Sequence, residues 1–361
     1  MKYSDKENDL SMIKELSNAK GVSGFEDMAV NYIRNYCDGL GAIKEDSLRN
    51  LYVHRNGNSG KRPVVLLDAH SDEVGLMVQA VRPNGTLQII PLGSWITSNL
   101  PAHKVWVRNA EGNYIQGIVG SKPPHYMSEM EKKSTLEFRQ LTVDIGARSQ
   151  EEAIKDFKIR IGEPIVPYAE FDYDECHDLM IGKAFDNRLG CAGIISALKK
   201  LNEEELKVDV VAGFASQEEV GARGVVVTSR KIKPDLAICF EGCPADDTIV
   251  DSYEAQTVMK KGPMLRHIDA KMITNPRFQR FALDLAVKKE IQVQEAVRAM
   301  GSTNGAAVHL SSEGVPTIVI GVPVRYAHTH YGFSTYFDYE NAVNLACELL
   351  KVLDEDLIKS F

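Results

Sequence analysis

Apolar positions recur at roughly helical spacing at Leu10, Ile13 and Leu16, and again at Met28, Val30 and Ile33. They predict two helices, with Gly21-Val22-Ser23-Gly24 breaking the chain between them. Val64 to Leu67 is a continuous apolar run of strand length ending in polar residues. That pattern predicts a strand buried on both faces of a mostly parallel sheet, with functional groups at its C-terminal end. Val210–Ala215, Leu236–Phe240 and the longer Thr317–Pro323 carry the same signature. Between them the periodicity predicts helices over Leu189–Leu201 and Asn275–Lys289 and a short strand over Ile291–Val293. A last helix, capped by Asp338, is predicted to run to about Phe361. Alternating strands and helices predict a layered α/β sheet.

Residues 76–165 follow another pattern. Asn84-Gly85 and Glu111-Gly112 each separate two short strand-like runs, which predicts two hairpins. Helical periodicity is nearly absent until Ser149, an N-cap with Glu152 three residues on. We read 74–165 as a small β domain inserted into a discontinuous domain made of 1–73 and 166–361.

Length fits this division, since 361 residues exceed one small domain. Forty-two basic against 50 acidic residues leave a formal charge of −8, which argues against an electrostatic nucleic-acid binder. No apolar run is long enough to span a membrane, and the charged N-terminus lacks the apolar region of a secretory signal, so a cytoplasmic location is expected. Six thinly spread cysteines predict reduced thiols rather than a disulfide scaffold. Cys239 and Cys243 are four apart, but no second pair follows, and buried inert thiols are expected there.

Five short motifs fall at predicted strand ends or in the adjoining turns, which in an open α/β sheet is one edge of the molecule. In Asp68-Ala-His70-Ser-Asp72, a turn that bends Asp72 back would supply a metal ligand and its orienting carboxylate together; a solvated surface pair would read the same. Asp186 opens the 189–201 helix and is either an N-cap or a carboxylate spanning two cations. Glu218 and Glu219 are adjacent and repel, so a cation on one would leave the other facing water; both could equally be solvated at a helix start. Glu241 ends another apolar run. His328 and His330 follow the last strand, and one or both could ligate; His309 reads as a structural helix position. Imidazoles and carboxylates without thiolate suit zinc, cobalt or manganese at a catalytic site rather than a closed structural zinc.

DAHSDEVG, GKAFDNRLG, SQEEVGARG, the acid in AICFEG, and PVRYAHT resemble, in order and spacing, the motifs of the dinuclear metallo-aminopeptidases that include glutamyl, deblocking and tetrahedral aminopeptidases. The inserted segment is similar too, at Leu92-Gly93-Ser94-Trp95, Gly120-SKPPH and Val143-Asp-Ile-Gly146. The resemblance implies a layered mixed-sheet metallopeptidase domain with an inserted β-barrel-like, PDZ-resembling domain that helps build a homo-oligomer, of the kind known as a tetrahedral dodecamer. It implies two divalent ions per subunit, zinc, cobalt or manganese, with Asp186 bridging them. His70 and Glu241 would complete one ion, and Glu219 and His328 the other; Glu218 would be the general base, and Asp72 would hold His70. It also implies a cis peptide after Asp186. The chain departs from the family pattern at Glu241, where Asp is usual, at Thr303-Asn304 in place of Thr-Asp, and at Thr329-His330 in place of Ser-Pro.

The expected reaction is removal of N-terminal residues from peptides by water that the ions acidify, with Glu218 taking its proton. A deacylase or carboxypeptidase with the same core is the nearest rival. Relatives have also been labelled cellulases, but glycosidase carboxyls flank their substrate about 5–9.5 Å apart, unlike two acids adjacent in sequence. A metal-free scaffold is the non-enzyme alternative. Tyr253–His267 and Arg325–Gly332 are expected to form part of the specificity pocket, with no residue there decisive.

Overall fold

The computed structural model describes residues 5–361; the first four residues of the charged N-terminal segment lie outside them. In chain order the strands are β1 (Gly41–Glu45), β2 (Leu51–Arg55), β3 (Val64–His70), β4 (Gly75–Val81), β5 (Leu87–Leu92), β6 (Lys104–Arg108), β7 (Tyr114–Gly120), β8 (Thr142–Asp144), β9 (Pro164–Pro167), β10 (Asp172–Asp174), β11 (Leu179–Gly182), β12 (Asp209–Ala215), β13 (Leu236–Pro244), β14 (Met264–Ile268), β15 (Gln294–Val297), β16 (Thr317–Val324) and β17 (Gly332–Ser334). The chain forms two units. One holds the residues up to Asp72 with Glu170–Ala327 and Tyr331–Phe361; the other holds Glu73–Ala169 and His328–His330.

The first unit is built on an eight-stranded sheet in the order β1-β2-β12-β3-β13-β16-β14-β15. Its four central strands, β12, β3, β13 and β16, run parallel. β2 and β14 pair antiparallel with the outer members of that set, so the sheet is mixed. β12 and β16 are buried at every position, as their unbroken apolar runs require. Side chains alternate between the two faces. Val65, Leu67 and Ala69 pack with Met12, Ile33, Ile194, Phe278 and Leu345 from the helices Asp5–Asn18, Asp27–Tyr36, Phe185–Lys200, Pro276–Lys288 and Tyr336–Val352. Leu66 faces the other way, onto Val225 and Val308 of the helices Arg223–Ile232 and Gly305–Val308.

Register then decides where the polar ends fall. Ala215 lies beside His70, and Cys239 beside Asp68, which brings Glu241, two residues on, level with His70.

Three local readings differ from the structure. The short strand predicted at Ile291–Val293 forms at Gln294–Val297, alongside β14. Asp338 does not cap the last helix. Thr335 does, accepting the Asp338 N–H, while the Asp338 carboxylate accepts the distant amides of Lys260 and Gly262. That helix ends at Val352, and Asp354 caps a separate turn, Glu355–Lys359. Ser149 caps the helix Gln150–Lys155 as predicted, but the Glu152 carboxylate accepts from the amide and guanidinium of Arg148.

The second unit is a closed antiparallel barrel in the order β4-β5-β8-β7-β6-β9. Both predicted hairpins are in it, and Gly85 takes the left-handed backbone its turn needs, with φ +89°. Leu76, Ile89, Val107, Val119, Val143 and Ile165 fill its interior. His330 groups with this unit, stacked on His103 with ring centroids 4.2 Å apart and tilted against Trp95. Among the described residues no helix is long and apolar enough to cross a membrane.

Candidate active site

His70 ends β3 and is fully buried. Its Nε2 lies 3.1 Å from Asp186 Oδ1 and 3.7 Å from Glu241 Oε1. Its Nδ1 faces Asp72, 3.2 Å from the carbonyl and 3.4 Å from Oδ1. His70, Asp186 and Glu219 each offer one metal-binding atom, and these atoms lie within 4.8 Å of one another.

Asp72 does turn back toward His70, as the His-x-Asp spacing allows, and it has a second task that the sequence did not reveal. Its Oδ1 accepts the amide of Glu218 at 2.9 Å, and its Oδ2 accepts the amide of Glu219 at 3.1 Å and the Ser23 hydroxyl at 2.6 Å. A single buried carboxylate therefore fixes both the imidazole and the backbone of the acid pair. Charge-assisted bonds of this kind are roughly twice as strong as neutral ones.

Asp186 is not the cap of its helix. The cap position falls on Ala184, at φ +55°, and Asp186 and Asn187 have non-helical backbone. The peptide between them is cis. Asn187 serves the helix instead, its Oδ1 accepting the Gly190 amide at 3.1 Å. Its Nδ2 donates to the Phe240 carbonyl at 2.8 Å and reaches Glu241 Oε2 at 3.4 Å, so it also steadies the neighbouring acid. Gly242 permits this approach, since a Cβ there would stand 2.6 Å from Asp186 Cα and 2.7 Å from the Phe185 carbonyl. Asn187 and Gly242 were missed because their partners are strands apart; the Asn after Asp186 and the Gly after Glu241 were the only signals.

Electrostatics follow from burial of like charges. Burial alone would push the His70 imidazole down, but bonds to Asp186, Asp72 and Glu241 hold it well above its ordinary value. Burial raises the Glu241 carboxyl to about 8, and the Asp186 charge adds to the rise. Burial works against Asp72 too, yet its bonds from His70, Ser23 and the Glu218 amide keep it below its usual range. Beneath them Asp68 is lifted to about 7 by burial, with Asn304 Nδ2 donating to it at 2.8 Å. That bond gives Thr303-Asn304 a place under the cluster.

His328 groups with the barrel unit, half-buried and left-handed at φ +59°. His309 follows the short helix Gly305–Val308, its Nδ1 near the Gly305 carbonyl. Cys239 and Cys243 are buried with thiols pushed up by burial, and Cys243 Sγ accepts from Arg266. Arg325 is engaged twice by Asp247, at 2.9 and 2.7 Å.

The lysyl aminopeptidase of Pyrococcus furiosus is 31% identical over 96% of this chain and 97% of its own. The TET aminopeptidase of a marine sediment archaeon, Thaumarchaeota archaeon SCGC AB-539-E09, superposes with a TM-score of 0.94 at 33% identity, covering 98% of this chain and 99% of that one. The TET1 peptidase of Pyrococcus horikoshii, described as assembling into a tetrahedron or a large octahedral shell, superposes at 0.85 with 26% identity, over 96% and 100%. The profile of the M42 glutamyl aminopeptidases matches residues 49–345, and this chain belongs to that family of peptidases acting at N-termini.

Proposed function

We propose that the protein is a dinuclear metal-dependent aminopeptidase that uses Glu218 as its general base. The observation that carries this reading is the convergence of His70, Asp186 and Glu219 donor atoms within 4.8 Å, beside a second carboxylate whose backbone Asp72 grips. The donor set fits divalent cations. It is one imidazole among carboxylates, largely buried, and that concentration of negative charge is costly without a counter-ion.

In this reading two divalent ions would be held by Asp186, shared between them, with His70 and Glu241 for one and Glu219 for the other. His328 completes the second on the strength of the sequence resemblance. When bound, such ions would supply Lewis acidity at this site. Asp72 holds the His70 ring with Nε2 toward the cluster. Glu218 takes a proton from the attacking water and returns it to the leaving amine, so hydroxyl adds to the carbonyl as the C–N bond breaks. Peptides with a free N-terminus are the substrates. The shells described for the TET1 peptidase support a homo-oligomer here also.

The deciding experiment is hydrolysis of a panel of aminoacyl anilides by chelator-stripped protein with zinc, cobalt and manganese restored separately. Anilide release that depends on added metal and on a free α-amino group is expected. Full turnover after stripping, or cleavage of N-acylated substrates only, would overturn the reading.

A further inference from the structure

The segment Gly21–Glu26 reads in sequence only as a break between two helices, and the reaction above leaves it unused. In the structure it touches both halves of the site's support. Ser23 donates to Asp72 Oδ2. Glu26 is 1% exposed, and its Oε1 accepts the amide of Gly24 at 2.8 Å and the amide of Gln217, 191 residues away, at 3.1 Å. Gln217 sits in the left-handed region at φ +53°, sparsely populated by non-glycine residues and maintained only by surrounding constraint. Three successive amides, those of Gln217, Glu218 and Glu219, therefore each end on a buried carboxylate: Glu26 for the first, Asp72 for the other two.

The far end of the segment is tied to the Asp186 turn. Arg188 Nη1 donates to the Leu16 carbonyl at 2.7 Å and Nη2 to the Gly21 carbonyl at 3.1 Å, while Lys183 Nζ donates to the Ala19 carbonyl at 2.8 Å. A Cβ at Gly21 would stand 2.7 Å from Arg188 Nη2, so the guanidinium packs close against this backbone. Leu16–Glu26 thus couples the turn bearing Asp186 to the turn bearing Glu218.

We infer that Glu26 is a positioning residue for Glu218, fixing the backbone at Gln217 so that the Glu218 carboxylate keeps its aim. The inference rests on the proposed role of Glu218. An oxygen at the Oε1 position can accept both amides whether it belongs to a carboxylate, a carboxylic acid or a primary amide, although the charged form accepts more strongly. Placement of the acceptor carries the role, and charge does not.

The test uses full-length, metal-loaded protein. Glu26→Asp retracts the acceptor by about one C–C bond, roughly 1.5 Å, and misplacement of about 1 Å costs on the order of 10²-fold. Glu26→Asp should lower kcat by about 10- to 100-fold with KM and metal content unchanged, whereas Glu26→Gln retains most of the turnover. In a Glu218→Gln background, Glu26→Asp should cost nothing further, because the two act on one step. Wild-type kcat in Glu26→Asp overturns the inference. So does loss of metal alongside activity, an equal loss in Glu26→Gln, or the same fold loss without Glu218. If Glu218→Gln alone turns over normally, the role of Glu218 fails instead, whatever Glu26 does. Should Glu26→Asp not fold, Glu26→Gln decides by its own kcat, since a loss of tenfold or more there contradicts placement as the cause.

Discussion

Glu203-Glu204-Glu205 and Glu218-Glu219 are runs of the same residue thirteen positions apart, and they meet opposite fates. The first follows the end of the helix at Lys200 and is exposed at all three positions. The second follows β12, buried along its whole length, and has its amides held by Asp72. Composition does not separate the two. A parallel strand whose register is fixed on both sides delivers the next residues to a set place, whereas the residues after a helix end are free to face water. An acid becomes chemically useful where the element before it leaves no choice of position.

The largest disturbance of this contrast is to remove what Glu219 faces. Asp186→Ala should lose both ions and all measurable turnover, read by metal analysis of the purified protein beside an anilide assay; a variant that keeps its full metal content would remove Asp186 from the bridging role. Next comes Glu218→Gln, for which we expect a loss of about 10²–10⁴-fold in kcat with metal retained. Near-normal turnover there would make Glu218 no different from Glu204. Asp72→Asn leaves the clamp in place but removes one of its acceptors, and loss of an orienting partner costs on the order of 10–100-fold in metal affinity or activity. Titration of the variant with zinc would show it, and unchanged affinity together with unchanged kcat would mean the clamp is ornamental. The smallest effect belongs to the other run. Glu203, Glu204 and Glu205 all changed to Gln should leave kcat unaltered and move denaturant stability by no more than about 0.5 kcal/mol. A drop in kcat from that triple change would break the comparison itself.

Much of the fold is legible in the sequence because burial on both faces leaves an unmistakable mark. Val64–Leu67, Val210–Ala215, Leu236–Phe240 and Thr317–Pro323 lie in the four parallel strands of the sheet centre. The hairpins at Asn84-Gly85 and Glu111-Gly112 are legible for a different reason, the local geometry of their turns. His70, Glu219 and Glu241 stand out because polar residues ending or following apolar strands are conspicuous, and Asp186 because it opens a predicted helix. What stayed hidden depends on partners remote in sequence. Nothing local shows that Asp338 serves Lys260 and Gly262, that Asn187 reaches Glu241, or that Glu26 meets Gln217. The grouping of the segment 328–330 with the barrel is hidden in another way, because chain order gives no hint of it.

The register of β3 against β12 and β13 also bears on the order in which the molecule is made. His70 and Asp186 are 116 residues apart, and Glu219 and Glu241 come later still. Contacts so distant form late, since the chain between them must be closed before they repay its entropy. No segment emerging during synthesis carries the donor set until β13 has taken its place beside β3. Any cation the cluster accepts would therefore favour the state in which these distant residues already stand together, adding its stabilisation there by mass action.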